Sequence, residues 1–474
     1  MATASAVVPQ PATATARPAP GCHRHLRVVA YRAGGGTVRL PGRAQPPLSC
    51  AAPTGYATSE STIAVAGNEA LIYSPARTEN SMARSTNAGR TWGLTYPRTE
   101  QPTSFWNTVD PDVVADRRTG WVFWSHATGP VRNEGSLPTI PGLPQGSGFY
   151  LAAAQGFQVY SSSDNGSSWT TADYSTAPTG DWEKVFVGPP APGSPQPRGY
   201  PDVVYLCANS PLEVSGPGRL CYRSMDGGRT FSIAGYVSPS ATEPQDVCPP
   251  LNFNTGVVDR RGTIYQPVDC QSSAYIVVSH DEGSTYKWIP MPTAPTGSST
   301  SGTNLKLAVD DAGSLYAVWT ADGRVYMAVS TNHARTWRKP LMVAAPSVHD
   351  VELPAIAAGA PGHVGIVYYG TTRRSARMLT AYITQTADAT DRRPLFYGGP
   401  INNPAHPIFH DYGLSDYPRT DFIGAAFDRA GTTFWAGAVK QFGPPDSHEY
   451  VRTTGWVGRL LWRPATPARV SGRR

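Results

Sequence analysis

One eight-residue pattern, Ser-x-Asp/Asn-x-Gly-x-Ser/Thr-aromatic, recurs five times in this chain and constrains its fold more than any other feature. The copies are STNAGRTW (Ser85–Trp92), SSDNGSSW (Ser162–Trp169), SMDGGRTF (Ser224–Phe231), SHDEGSTY (Ser279–Tyr286) and STNHARTW (Ser330–Trp337). They start 77, 62, 55 and 51 residues apart, the spacing of a repeat architecture. The chemistry is that of a hairpin turn. The third-position side chain can accept backbone N–H groups, the fifth-position Gly permits positive φ, and the terminal aromatic is free to pack inward. Ala334 stands where the fifth copy should have Gly, which predicts a strained or differently shaped turn there. On this reading the octets are structural, not catalytic.

A second pattern lies upstream of the octets: two β-rich runs around a Gly- or Asp-bearing turn. PDVVADRRTGWVFWSH (Pro111–His126), NFNTGVVDRRGTIYQPV (Asn252–Val268) and LKLAVDDAGSLYAVWT (Leu305–Thr320) are clear examples. STIAVAGNEALIYS (Ser61–Ser74) and EKVFVGPP with PDVVYLC (Glu183–Pro190 and Pro201–Cys207) are weaker ones. Pro354–Gly370 and Asp421–Val439 repeat the pattern without a clean octet. Each unit reads as strand A, turn, strand B, then strand C, octet, strand D. That is the four-stranded blade of an all-β propeller, and seven candidates can be counted. Composition agrees. The 47 Gly and 46 Pro break helices, while 23 Tyr, 12 Trp and 13 Phe supply core surface. Residues 51–462 form the expected propeller. Residues 1–50 form an Ala/Pro-rich, partly disordered segment, and 463–474 a disordered basic tail.

The net charge of +6 is spread along the chain without a basic stripe, so a nucleic-acid partner is not expected. Five basic residues are Lys and thirty-five are Arg, a bias that points to a GC-rich genome such as an actinobacterium's. The six cysteines fall into local pairs, Cys22 with Cys50, Cys207 with Cys221, and Cys248 with Cys270. An even count at short separations suits disulfides and an exported protein; six buried thiols in a cytosolic protein is the alternative. Met1–Pro20 has no signal-peptide pattern, but its texture resembles the stretch after a cleavage site. No apolar run is long enough to span a membrane. The expected protein is secreted and monomeric.

The octets resemble the Asp-box repeats of the sialidase-like superfamily, over about Ser59 to Trp462. The resemblance implies a β-propeller, for which it would favour six blades. It also implies glycan-directed chemistry: three arginines clamping a substrate carboxylate, a Tyr nucleophile paired with a Glu, and an Asp acid/base. The family's first arginine usually lies in an Arg-Ile-Pro motif before the first inner strand. Here that stretch is SESTIAVAG (Ser59–Gly67), with no Arg. Asp-box propellers also include non-catalytic members, so a carbohydrate- or protein-binding propeller is the alternative to an exo-glycosidase.

Propeller geometry places octets and A–B turns on one face, leaving B–C loops and D-to-A connections on the other. Long segments gather there, notably Ala127–Gln155 and Phe396–Tyr417, and loops of this length are commonly functional. Strand A starts on that face and supplies Glu60, Asp110, Asp112, Asp181, Glu183, Asp246, Asp350, Glu352, Asp416 and Asp421, whereas the blade entering at Asn304 offers Lys306. Such carboxylates can act as acid and base, bind a hard cation such as Ca²⁺, or simply cap strand starts. The catalytic candidates are Asp112, Glu183 and Asp416, with Tyr417 (or Tyr412 beside Asp411) as nucleophile. Arg77, Arg373 or Arg374, and Arg419 form a candidate substitute anion clamp, with Asp421 nearby. Trp182, like Trp106, is a candidate stacking surface for a sugar ring. No cofactor is implied beyond the Ca²⁺ option, and the expected partner is a glycan or polysaccharide.

Overall fold

Each octet is tied by its own side chains, which explains why the turn survives changes of sequence at the variable positions. In the third copy Asp226 Oδ1 accepts the N–H groups of Arg229 and Thr230 at 3.1 and 2.9 Å, and Oδ2 accepts the Thr230 hydroxyl at 2.6 Å. The first-position hydroxyl, Ser224, accepts the Gly228 N–H at 2.9 Å. Where Asn replaces Asp, the last bond reverses: Asn87 and Asn332 donate Nδ2–H to Thr91 and Thr336, each at 2.7 Å. The fourth and fifth positions of every octet have positive φ. Ala334 does so too, at φ 62°, and its N–H still reaches Ser330 Oγ at 3.1 Å. The fifth octet therefore keeps the common shape and bears the strain of a left-handed alanine.

The computed structural model describes residues 25–41, 44–56, 58, 62–67, 70–73, 82–96, 105–107, 111–130, 156–171, 181–210, 218–237, 254–269, 274–291, 305–374, 376, 378–410, 423–442 and 452–462. Among them there is no helix; they form seven antiparallel sheets. The first blade is Ile63–Ala66, Ala70–Tyr73, Met82–Ser85 and Gly93–Thr95, each strand paired with the next. The second to sixth blades begin with inner strands Asp112–Ala115, Asp181–Gly188, Val257–Val258, Lys306–Val309 and His349–Ala358. The protein is thus a seven-bladed β-propeller, not the six-bladed form the resemblance favoured.

The seventh blade closes the ring with strands distant in sequence. Ala425–Phe427, Phe434–Phe442 and Arg452–Leu461 are followed not by a C–D turn but by Leu48–Pro53, paired in register Cys50↔Arg459. Leu26–Arg27 extends this sheet, and Val29–Arg32 adds to the outer edge of the sixth blade. Residues 26–50, which composition groups with the N-terminal segment, thus contribute strands to two blades. This closure also explains the octet count. The seventh blade has no covalent C–D turn to carry one. The sixth has a degenerate copy, in which the Thr386 hydroxyl donates to Asp388 Oδ1 at 2.5 Å and the Leu395 N–H reaches the same carboxylate at 3.0 Å.

Seven buried clusters bond the blades around the ring, one at each junction. Ala64, Ile72 and Met82 of the first blade meet Val113, Val122 and Trp124 of the second. Ile63, Val65 and Trp92 of the first meet Trp435 and Val457 of the seventh. The octets lean on the preceding blade: Trp169 Nε1–H donates to Thr95 Oγ1 at 3.0 Å, and Thr95 donates to the Gly166 carbonyl at 2.6 Å. Burying these aromatic and aliphatic faces supplies the main driving force for ring closure.

In the third blade Cys207 and Cys221 are cross-strand neighbours joined by a disulfide. Cys50 is also disulfide-bonded, to a cysteine outside the described residues. Cys22, Cys248 and Cys270 lie outside them.

Candidate functional site

The seven inner strands surround a central cavity of about 280 Å³. On or just before each strand, the first lining residue at the loop-face end is Thr62, Asp112, Lys184, Asn254, Lys306, Ala355 and Ile423, in blade order. Five consecutive blades are therefore polar at the mouth, and two are apolar. Below this ring the walls are mostly aliphatic, including Val65, Val113, Val185, Leu307 and Ala357.

The ring differs from the expected circle of carboxylates. Of those that are described, only Asp112 lines the cavity; Glu183 is fully buried behind it, Asp350 bonds His349 Nδ1 at 2.9 Å, and Glu352 is half-buried off the lining. Glu60, Asp110, Asp246, Asp416 and Asp421 lie outside the described residues, as does the side chain of Asp181. The reason is backbone shape. The strand Asp181–Gly188 carries a β-bulge between Asp181 and Lys184, and Trp182 within it has φ 64°. A bulge re-aims the side chains that follow, and here Lys184 takes the cavity position. A bulky residue at positive φ is strained. Trp182 is 4% exposed and carries the Lys184 ammonium over its ring at 4.9 Å, so its face is occupied by a cation.

Asp112 is held from several sides. Its Oδ2 accepts the Val185 N–H at 3.0 Å, and Thr62, whose Oγ accepts the Val113 N–H at 2.7 Å, bonds the same carboxylate. Burial raises its pKa above the ordinary carboxylate value, against the opposing pull of Lys184, the Val185 N–H, Thr62 and Arg219. Arg219, also fully buried, donates to the Cys207 carbonyl at 3.1 Å. Burial lowers its pKa to about 9, with Tyr286, Asp112 and Glu183 acting in the other direction. Asp112, Glu183, Lys184 and Arg219 thus form one cluster of ionisable groups between the second and third blades, with the Trp182 ring beneath the Lys184 ammonium. Across the mouth, the Lys306 ammonium donates to Asn254 Oδ1.

At the opposite end, A–B turns meet around the axis. Arg117 of the second blade spans to the fifth, pairing both guanidinium nitrogens with Asp311 at 3.1 and 3.2 Å, and its Nε donates to the Asp428 carbonyl of the seventh at 3.0 Å. The Asp311 N–H bonds the Gly359 carbonyl, and the Ala360 N–H bonds that of Gly431. The turns are built around their own aspartates: Asp259, Asp310 and Asp428 each accept two N–H groups of the turn they begin.

The candidate clamp is not assembled at this mouth by the described residues. Arg373 and Arg374 line a separate cavity on the sixth blade that shares no residue with the channel. Arg77, Arg419, Tyr417 and Tyr412 lie outside the described residues. Among the described residues no group of three or more His, Cys, Asp or Glu comes together. Sequence reasoning missed Lys184, Arg219, Thr62 and Asn254 as site residues. Lysine rarity was a usable signal, since two of only five lysines occupy inner-strand positions.

No family model and no curated protein sequence matches this chain. Among solved structures it is similar to a Dyadobacter fermentans protein of unknown function, with 15% identity, 76% of this chain and 96% of that one covered, and a TM-score of 0.42. It is also similar to a variant of the NanB sialidase of Streptococcus pneumoniae, at 11% identity, 86% and 69% coverage and a TM-score of 0.43. A variant of an α-L-arabinofuranosidase from Fusarium graminearum is a third, at 12% identity, 74% and 92% coverage and a TM-score of 0.42. Similarity at this level assigns no residue role and no substrate.

Proposed function

We propose that this protein is an exported, glycan-directed propeller that receives an acidic sugar at the loop-face mouth of its channel and hydrolyses its glycosidic bond. The observation that carries this reading is the mouth itself: one buried carboxyl, Asp112, set among two ammonium groups, Lys184 and Lys306, and the amide and hydroxyl of Asn254 and Thr62. Among the described residues of the ring, two ammonium groups stand against one carboxyl, an arrangement that favours an anionic ligand. A carboxyl whose pKa is raised by burial is suited to donate a proton to a leaving-group oxygen. Tyr417 with Asp416 is the proposed nucleophile and base, and Arg77, Arg419 and Asp421 are proposed ligand contacts. The Cys207–Cys221 disulfide supports export.

A second reading is a propeller that binds without turnover. The absence of arginine from SESTIAVAG favours it, because the resemblance would place the first clamp residue there. A panel of fluorogenic glycosides including a sialoside, run beside a glycan-binding array, separates the two. Hydrolysis that falls at least a hundredfold in Asp112→Asn, with ligand affinity retained, supports the first. Binding without hydrolysis supports the second. If no acidic sugar is bound or cleaved, both are wrong.

A further inference from the structure

We infer that the outer half of the sixth blade carries a second ligand site, for an oxyanion group borne on a sugar-sized ring, separate from the channel. The cavity there measures about 290 Å³. Its charged wall is Arg373 and Arg374, on the turn between strands Val364–Thr371 and Met378–Thr386. Both guanidinium groups are exposed, and no carboxylate of the described residues lies within ion-pair distance of either. The turn is fixed from below, where the Arg373 N–H donates to Thr371 Oγ1 at 3.0 Å. The floor is hydroxylic, with Thr380 and Tyr382 buried on the neighbouring strand. Pro404 and Pro407 supply an apolar side.

Each part matches one part of such a ligand. Two adjacent guanidinium groups can meet a carboxylate or sulfate through paired hydrogen bonds. Hydroxyls at the floor can exchange hydrogen bonds with ring hydroxyls, and proline faces suit the C–H side of a pyranose. Because no lining residue is shared with the channel, occupancy here is independent of the chemistry proposed for Asp112, and the inference does not rest on that reading. A carboxylated and a sulfated sugar present the same oxyanion chemistry, so the source is left to the experiment.

The test measures binding of three fluorescein-labelled probes to the full chain: oligogalacturonate, a sulfated dextran oligosaccharide and an unmodified dextran oligosaccharide. The expected result is binding of at least one charged probe, at least tenfold tighter than the neutral one. That affinity falls at least tenfold in the Arg373→Ala/Arg374→Ala double variant, whose melting temperature should match the parent because both side chains are exposed. Thr380→Val gives a smaller loss. Preference for galacturonate or for sulfate identifies the source, and either supports the site. Equal binding of the charged probe by parent and double variant overturns the inference, as does equal affinity for charged and neutral probes or no binding of any.

Discussion

Replacing Asp226 separates what the octet's charge contributes from what its hydrogen bonds contribute. The Asp226 carboxylate accepts four bonds, from Ser224 Oγ at 2.7 Å, the Arg229 and Thr230 N–H groups, and the Thr230 hydroxyl. The last two residues are exposed, so water replaces part of each bond, and about 0.5 kcal/mol apiece is the appropriate end of the range. Asp226→Ala should then cost about 2 kcal/mol. Asp226→Asn should cost well under half of that, because Asn87 and Asn332 already make the same turn with the final bond reversed. The two variants should also differ from the parent in acid. Burial raises the Asp226 pKa, but the Thr230 hydroxyl and N–H, Ser224 and the Arg229 N–H outweigh it and leave the pKa lowered. A lowered carboxyl pKa adds stability above its unfolded value of about 4, and that stability is lost as pH falls through the folded value. Denaturant midpoints of parent, Asn and Ala forms at pH 7 and pH 3 read both effects. The parent's advantage should shrink at pH 3. If Asn is as costly as Ala at pH 7, or if the parent's advantage grows in acid, this account of the octet is wrong.

Arg117→Ala should lower stability by about 1–2 kcal/mol, because it removes a paired ion contact and a bond to the seventh blade at once; Arg117→Lys should restore only part of it, lacking the paired geometry. Equal stability of parent and alanine variant in denaturant titration would show that the bridge across the axis is not a tie. Reducing the Cys207–Cys221 bond, or replacing both by Ala, should cost about 3 kcal/mol for a separation of 14 residues. Unchanged denaturant midpoints with and without dithiothreitol in a chain whose other cysteines are replaced would refute that figure.

The octets were legible because their determinants are local: every bond within the turn joins residues no more than four apart, as in Asp226 to Thr230. The A–B turns were legible for the same reason, since Asp259 and Asp310 bond N–H groups two and four residues on. Those two local devices, repeated, imply paired strands of similar length, and a strand pair with one apolar edge after another can only bury itself against its neighbours. A propeller, its structural face and seven candidate blades follow from the sequence alone.

Closure and the site do not follow from it. Leu48–Pro53 completes the seventh blade by pairing with Arg452–Leu461, a contact about four hundred residues away in sequence that no local pattern encodes. At the mouth, Asp112 was readable as a strand-start carboxylate, but its character depends on Thr62, Val185, Lys184 and Arg219 from the blades on either side of its own. Glu183 was equally readable and was turned away from the cavity by a bulge at Trp182. Turn chemistry acts over a few residues, and so it is written in the sequence. The charge of a channel is a sum over strands brought together only when the ring closes, and so only the tertiary structure decides it.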